Sequence, residues 1–216
     1  MRDMLGRIME KGYKTISAEA KASFTERRSE FIGYIAPVST DEEAVAFIGR
    51  IRAEHRKATH NVYAYIVRNG NMTRYSDDGE PQGTAGAPVL DVLIKEGLTD
   101  VCCVATRYFG GILLGGGGLV RAYSHTAKIA VEAAQIKLME QCCPVSVTVS
   151  YDLYGRLMHS LPDEGVKVTG TDFGGSVTAE MLVREDICAA FAEKITDLTN
   201  GSAVITRGEP CFCDMS

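Results

Sequence analysis

The chain has 216 residues, a formal net charge of −5, and 45% hydrophobic and 24% charged residues. That mix belongs to a folded globular protein rather than a disordered chain, and the acidic balance excludes coating of nucleic acid by global attraction while leaving room for a local basic face. No apolar run nears the roughly 20 residues that cross a bilayer, and the opening MRDMLGRIMEKGYKT lacks the features of a secretory signal, so the expected address is cytoplasmic and away from membranes.

Residues 13–20, 22–28 and 30–38 are short and rich in Tyr, Phe, Ile and Thr, and they predict an antiparallel meander. A helix follows in STDEEAVAFIGRIRAEHRKA. Thr40 and Glu43 make a capping box, and Asp41 and Glu42 suit the positive end of the helix dipole. Ala44, Val45, Ile48, Ile51 and His55 recur at helical spacing. The opposite side and last turn carry Arg50, Arg52, Arg56 and Lys57. Each alone is an ordinary dipole complement. Four together, continued by His60, form a candidate nucleic-acid-binding patch.

A strand at 61–68 leads into the loop SDDGEPQGTAGAP, and a helix over 87–96 stops at Gly97. DVCCVATRY at 100–108 reads as an inner strand covered on both faces. A glycine run then opens an Ala-rich helix over 118–136. Beyond the segment KLMEQCCP the order is strand 144–151, helix 152–161, strands 164–171 and 175–183, helix 185–198 and strand 202–212. Leu153, Leu157 and Leu161 form one core stripe, and Ile187, Phe191, Ile195 and Leu198 another. This β-α-β-β-α-β order is that of a ferredoxin-like, split βαβ domain. The expectation is an α+β protein of two domains, 1–138 and 141–216.

Seven cysteines, at 102, 103, 142, 143, 188, 211 and 213, contain no CxxC pair. Neither a metal site nor a disulfide is expected. Cys102 and Cys103 read as small hydrophobes, and Cys211 and Cys213 stand in a tail to which no function attaches.

Two loops carry the candidate chemistry. Asp77, Asp78 and Glu80, around Gly79, offer oxygens to a hard cation, although Asp, Gly and Pro in this pattern favour a plain turn. Gly115, Gly116, Gly117 and Gly118 open a helix, where bare amides bind anions or pack closely, with Arg107 upstream and Arg121 one turn inside. GGGGLVRA lacks the Lys-Ser/Thr of a phosphate loop. No nucleophile sits in a GxSxG setting, and His55, His60, His125 and His159 show no HExxH spacing. No cofactor is expected, and the balance is against an enzyme. If strands 61–68 and 100–108 run parallel, both loops leave one sheet edge and make a composite cleft with His60 and Arg121 on its rim.

With HRKATHNVYAY, YSDDGEPQGTAGAP and TRYFGGILLGGGGLVRAYSHTA together, the chain resembles the IMPACT family, in its bacterial YigZ-like branch, over essentially its whole length. The resemblance implies an N-terminal domain of the ribosomal protein S5 domain 2-like fold, laid out β-β-β-α-β-α-β-α. It also implies a ferredoxin-like C-terminal domain similar to a C-terminal domain of elongation factor G. Eukaryotic members of the family regulate translation by competing for the activator of a starvation-sensing kinase, through an N-terminal partner-binding domain unlike anything here. The bacterial branch brings no settled activity. Two functions follow. One is a translation-related regulator binding RNA, the ribosome or a translation-associated protein through the basic patch. The other is a small phosphate-ligand binder or Mg-dependent enzyme using the two loops. The first is preferred, because no base or nucleophile is identifiable.

Overall fold

The computed structural model describes residues 12–162 and 164–215. They divide into two compact units, one of residues Tyr13–Lys137 and the other of residues from Leu138 onward together with Gly12. Residues 1–11 of the expected N-terminal domain lie outside the described residues.

The N-terminal unit holds most of β1 (Gly12–Ile16), then β2 (Ala20–Glu26) and β3 (Ser29–Pro37), followed by α1 (Asp41–Glu54). It continues through β4 (His60–Val67), β5 (Met72–Ser76), α2 (Gly86–Lys95), β6 (Val101–Tyr108) and α3 (Gly116–Ala133). Five strands pair in the order β2-β3-β6-β4-β5, every neighbour antiparallel. The inner-strand expectation concerns β6, which is buried from Val101 to Arg107. Its side chains alternate across the sheet, as a strand requires. Val101, Cys103 and Ala105 join Val89, Leu93, Leu119 and Tyr123 on the face covered by α2 and α3. Cys102 and Val104 join Ala44, Phe47, Ile48 and Ile51 on the face covered by α1. Burial raises both cysteine thiols, that of Cys103 to about 12, so they act as small apolar groups.

Three sequence expectations change. Val45 is 57% exposed, and Phe47 takes the core position, because Ala44, Phe47, Ile48 and Ile51 share one helix face at i, i+3, i+4 and i+7. Thr40 does cap α1 by accepting from the amide of Glu43 at 3.2 Å, and the Glu43 carboxylate reaches back to Ser39 N at 2.6 Å. Next, β4 and β6 are antiparallel, with His60 opposite Arg107 and Ile66 opposite Val101. The parallel arrangement is therefore corrected. Finally, β5 intervenes between β4 and the acidic loop. Its sequence MTRYS has no apolar alternation because it is an edge strand with little burial.

The C-terminal unit holds most of β7 (Ile136–Val149), then α4 (Tyr151–Ser160), β8 (Val166–Phe173), β9 (Val177–Arg184), α5 (Glu185–Leu198), β10 (Val204–Arg207) and β11 (Cys211–Asp214). The antiparallel order β10-β7-β9-β8 is that of a ferredoxin-like sheet. Val145, Val147, Met181 and Val183 meet Leu157, Phe191 and Ile195 in its core. The strand expected at 202–212 is two strands. β11 pairs with residues 139–142 and β10 with 145–148. The break falls at Pro144, which has no amide hydrogen to donate to a ladder. The strand expected to begin at 144 begins at 136, so the proline sits inside it.

Candidate functional site

Antiparallel pairing brings the ends of β2, β5 and β6 and the starts of β3 and β4 to one edge of the five-stranded sheet. Four connections emerge there: Arg27–Arg28, 55–59, 77–85 and 109–115. The acidic and glycine loops thus leave the same edge, because the β4–β5 hairpin reverses the chain once more. A Cβ on Gly116 would lie 3.9 Å from Thr84 Cγ2, so the far end of the acidic loop touches the start of α3.

The three carboxylates have separate duties. Asp77 accepts the amides of Gly83, Ala85 and Gly86 at 2.9, 3.1 and 2.8 Å, which closes the loop and caps the start of α2. Asp78 accepts from the Arg52 guanidinium at 2.5 Å and from the amide of Asn61 at 2.6 Å. Glu80 is buried, and its Oε1 accepts from Arg107 Nη1 at 2.6 Å and the Tyr123 hydroxyl at 2.8 Å. Among the described residues no group of three or more His, Cys, Asp or Glu side chains is arranged to hold a metal ion.

Arg107 is 4% exposed, and its guanidinium lies between the rings of Phe31 and Phe109, 5.4 and 5.3 Å from their centroids. Its Nη2 reaches Ser29 Oγ at 3.4 Å, and its Nε is buried without a hydrogen-bond partner among the described residues. Burial, with the Glu80 carboxylate second, pushes the Tyr123 phenol far above its ordinary value, so it remains a proton donor to Glu80. His60 donates from Nδ1 to the Asp78 carbonyl at 2.8 Å, which turns Nε2 toward Glu80 at 3.7 Å. His55 bridges the hydroxyls of Tyr34 and Tyr108 at 2.6 and 2.8 Å and is a satisfied, half-buried side chain.

His60, Asp78, Glu80 and Arg107 therefore converge, joined by Ser29 and Tyr123, which the sequence reading did not single out. Tyr123 was visible inside the glycine-containing motif, whereas Ser29 carried no signal. Gly79 stays with them, since a Cβ there would lie 3.4 Å from His60 Nδ1, whereas the glycine-loop residues stand apart. Gly115 precedes α3 with φ of 72°, Gly117 is exposed, and Gly118 and Arg121 line a cavity of about 280 Å³ with Phe24, Leu114 and His125.

The basic patch divides too. Arg50 is held by Glu19 at 2.5 Å and covers the Phe47 ring, and Arg52 is held by Asp78 and covers Tyr63. Arg56 and Lys57 are exposed beside the sheet edge. Arg27 and Arg28, at positive φ in the β2–β3 turn, bring two further exposed cations to that edge, also missed from the sequence. Phe109 (44% exposed) and Leu113 (80%) stand in the neighbouring loop.

Comparisons with known proteins bear on these segments. The Impact N-terminal domain matches residues 27–131, and the Domain of unknown function (DUF1949) matches residues 147–202. IMPACT family member YvyE of Bacillus subtilis (strain 168) is 36% identical, over 94% of each chain. IMPACT family member YigZ of Escherichia coli (strain K12) is 31% identical, over 82% of this chain and 88% of its own. A crystal structure of a hypothetical protein superposes with a TM-score of 0.59 at 29% identity, covering 92% of this chain and 98% of that one. The matches run through both units and through every loop at the sheet edge, and the chain belongs to the IMPACT family.

Proposed function

We propose that this IMPACT-family chain is a translation-associated RNA-binding protein that docks structured RNA on the loop-bearing edge of its five-stranded sheet. The observation that carries the reading is the gathering of exposed Arg27, Arg28, Arg56 and Lys57 around the exposed ring of Phe109. Cations of this kind contact phosphates, and an exposed ring stacks an unpaired base. With an overall charge of −5, attraction has to be local, and these four cations supply it at one edge. The family resemblance to translation components supports the same reading. The Mg-dependent alternative needs free carboxylate oxygens, and Asp77, Asp78 and Glu80 are already engaged by protein donors.

The test is RNA affinity as a function of salt for the native chain and for Arg56→Glu with Lys57→Glu. These two are chosen because reversing Arg52 would also release Asp78. Binding should weaken at least tenfold, and the slope of log affinity against log salt should fall by about 1 for each cation removed. Unchanged affinity and slope would exclude this edge.

A further inference from the structure

We propose that Cys211 and Cys213 form an oxidisable dithiol that a peroxide converts reversibly into an intrachain disulfide. The CFC sequence forms an edge strand paired with β7, with Cys211 opposite Cys142 and Cys213 opposite Glu140. Residues two apart on a strand share a face. Their sulfurs approach to 3.4 Å, close enough for one thiol to hydrogen-bond the other. Both stand outside residues 147–202, where the second family match lies.

Accessibility makes the pair selective. Cys211 is exposed and Cys213 half-buried, whereas Cys102, Cys103, Cys142, Cys143 and Cys188 are all buried. Burial raises the Cys213 thiol to about 11, and its bond to Cys211 adds to the shift, so Cys213 is the partner that keeps its proton. Cys211 is the sulfur a solvent oxidant reaches first.

The chemistry balances with hydrogen peroxide as the oxidant. The Cys211 thiolate attacks one peroxide oxygen, an S–O bond forms, the O–O bond breaks, and the departing hydroxide takes a proton to become water. Cys213 then attacks the sulfur of the Cys211 sulfenic acid. The S–S bond forms, the S–O bond breaks, and the Cys213 proton leaves with the hydroxyl as a second water. Two thiols and one peroxide give one disulfide and two waters. Alternate residues of an extended strand lie roughly 6.6 Å apart at Cα, the upper limit for a disulfide, so closure has to pucker β11. A bond closed under such strain is readily reduced by a dithiol, which makes the change reversible.

The experiment treats the full chain with a small excess of hydrogen peroxide, then counts free thiols after denaturation and maps linked peptides by mass spectrometry. The expected result is loss of two of the seven thiols, with Cys211 and Cys213 linked in one peptide that loses two hydrogens and regains them with dithiothreitol. In Cys213→Ser, Cys211 should stop at a sulfenic acid that dimedone traps. Retention of all seven thiols, linkage of Cys142 to Cys211 or of Cys143 to Cys188, or disulfides between chains would each overturn the proposal.

Discussion

Glu80 holds the sheet edge together from beneath. Its carboxylate accepts from Arg107 and Tyr123, and all three groups are buried. Removing one partner of a buried ion pair strands the other charge, which costs about 3–5 kcal/mol. Glu80→Ala should therefore lower unfolding stability by that amount in urea titration, and a loss under 1 kcal/mol would mean that Arg107 finds other partners. Tyr123 gives a pH signature. Its folded-state pKa lies above that of the unfolded chain, so its contribution is intact below pH ~10 and is lost as pH rises further. Above pH ~10 the native chain should lose up to about 1.4 kcal/mol per pH unit from this group. Tyr123→Phe should remove that part of the slope, as measured by unfolding titrations at pH 9 to 11. The sequence showed Glu80 and Arg107 as candidates but not their duty. A carboxylate in a DDGEP turn looks solvated, and the donors that hold it inward, Arg107 and Tyr123, lie 27 and 43 residues away in sequence.

At the scale of elements, the loops are held by backbone contacts as much as by side chains. Gly110 lies so close to the β2–β3 turn that a Cβ there would stand 2.0 Å from the carbonyl carbon of Arg28. Gly110→Ala should therefore displace the turn and lower the melting temperature, with the amides of 27–29 exchanging faster than in the native chain. Asp77→Ala removes three accepted amides and should cost about 1–2 kcal/mol in denaturant titration. The long periodic elements were legible: α5 was expected at 185–198 and is found there, and β6 was recognised from its unbroken apolar run. Weak burial hid the others. β5 buries too little to show a two-residue period, and β7 carries a proline that reads as a strand start. The two loops leave one edge, but through an antiparallel sheet and not the parallel strands expected. The sequence gives no sign of the β4–β5 reversal that, with an antiparallel sheet, returns both to one edge.

At the scale of the molecule, an acidic chain gathers four exposed cations, Arg27, Arg28, Arg56 and Lys57, and the exposed ring of Phe109 at one sheet edge of the N-terminal unit. The fold class and family were legible because long motifs carry both. The cationic edge was half legible, since Arg56 and Lys57 lie on a visible helix end whereas Arg27 and Arg28 look like an ordinary turn. The ion pairs of Arg50 and Arg52 were not legible, because their acidic partners at 19 and 78 are distant in sequence. If RNA docks on this edge, short-range photo-crosslinking of a 4-thiouridine-substituted structured RNA should attach it to the segments that line it. The expected adducts lie on 27–28, 55–59 and 109–115, with Phe109 prominent, and fade as salt is raised. Adducts confined to residues 138–215, or spread without preference over the chain, would contradict RNA docking at this edge.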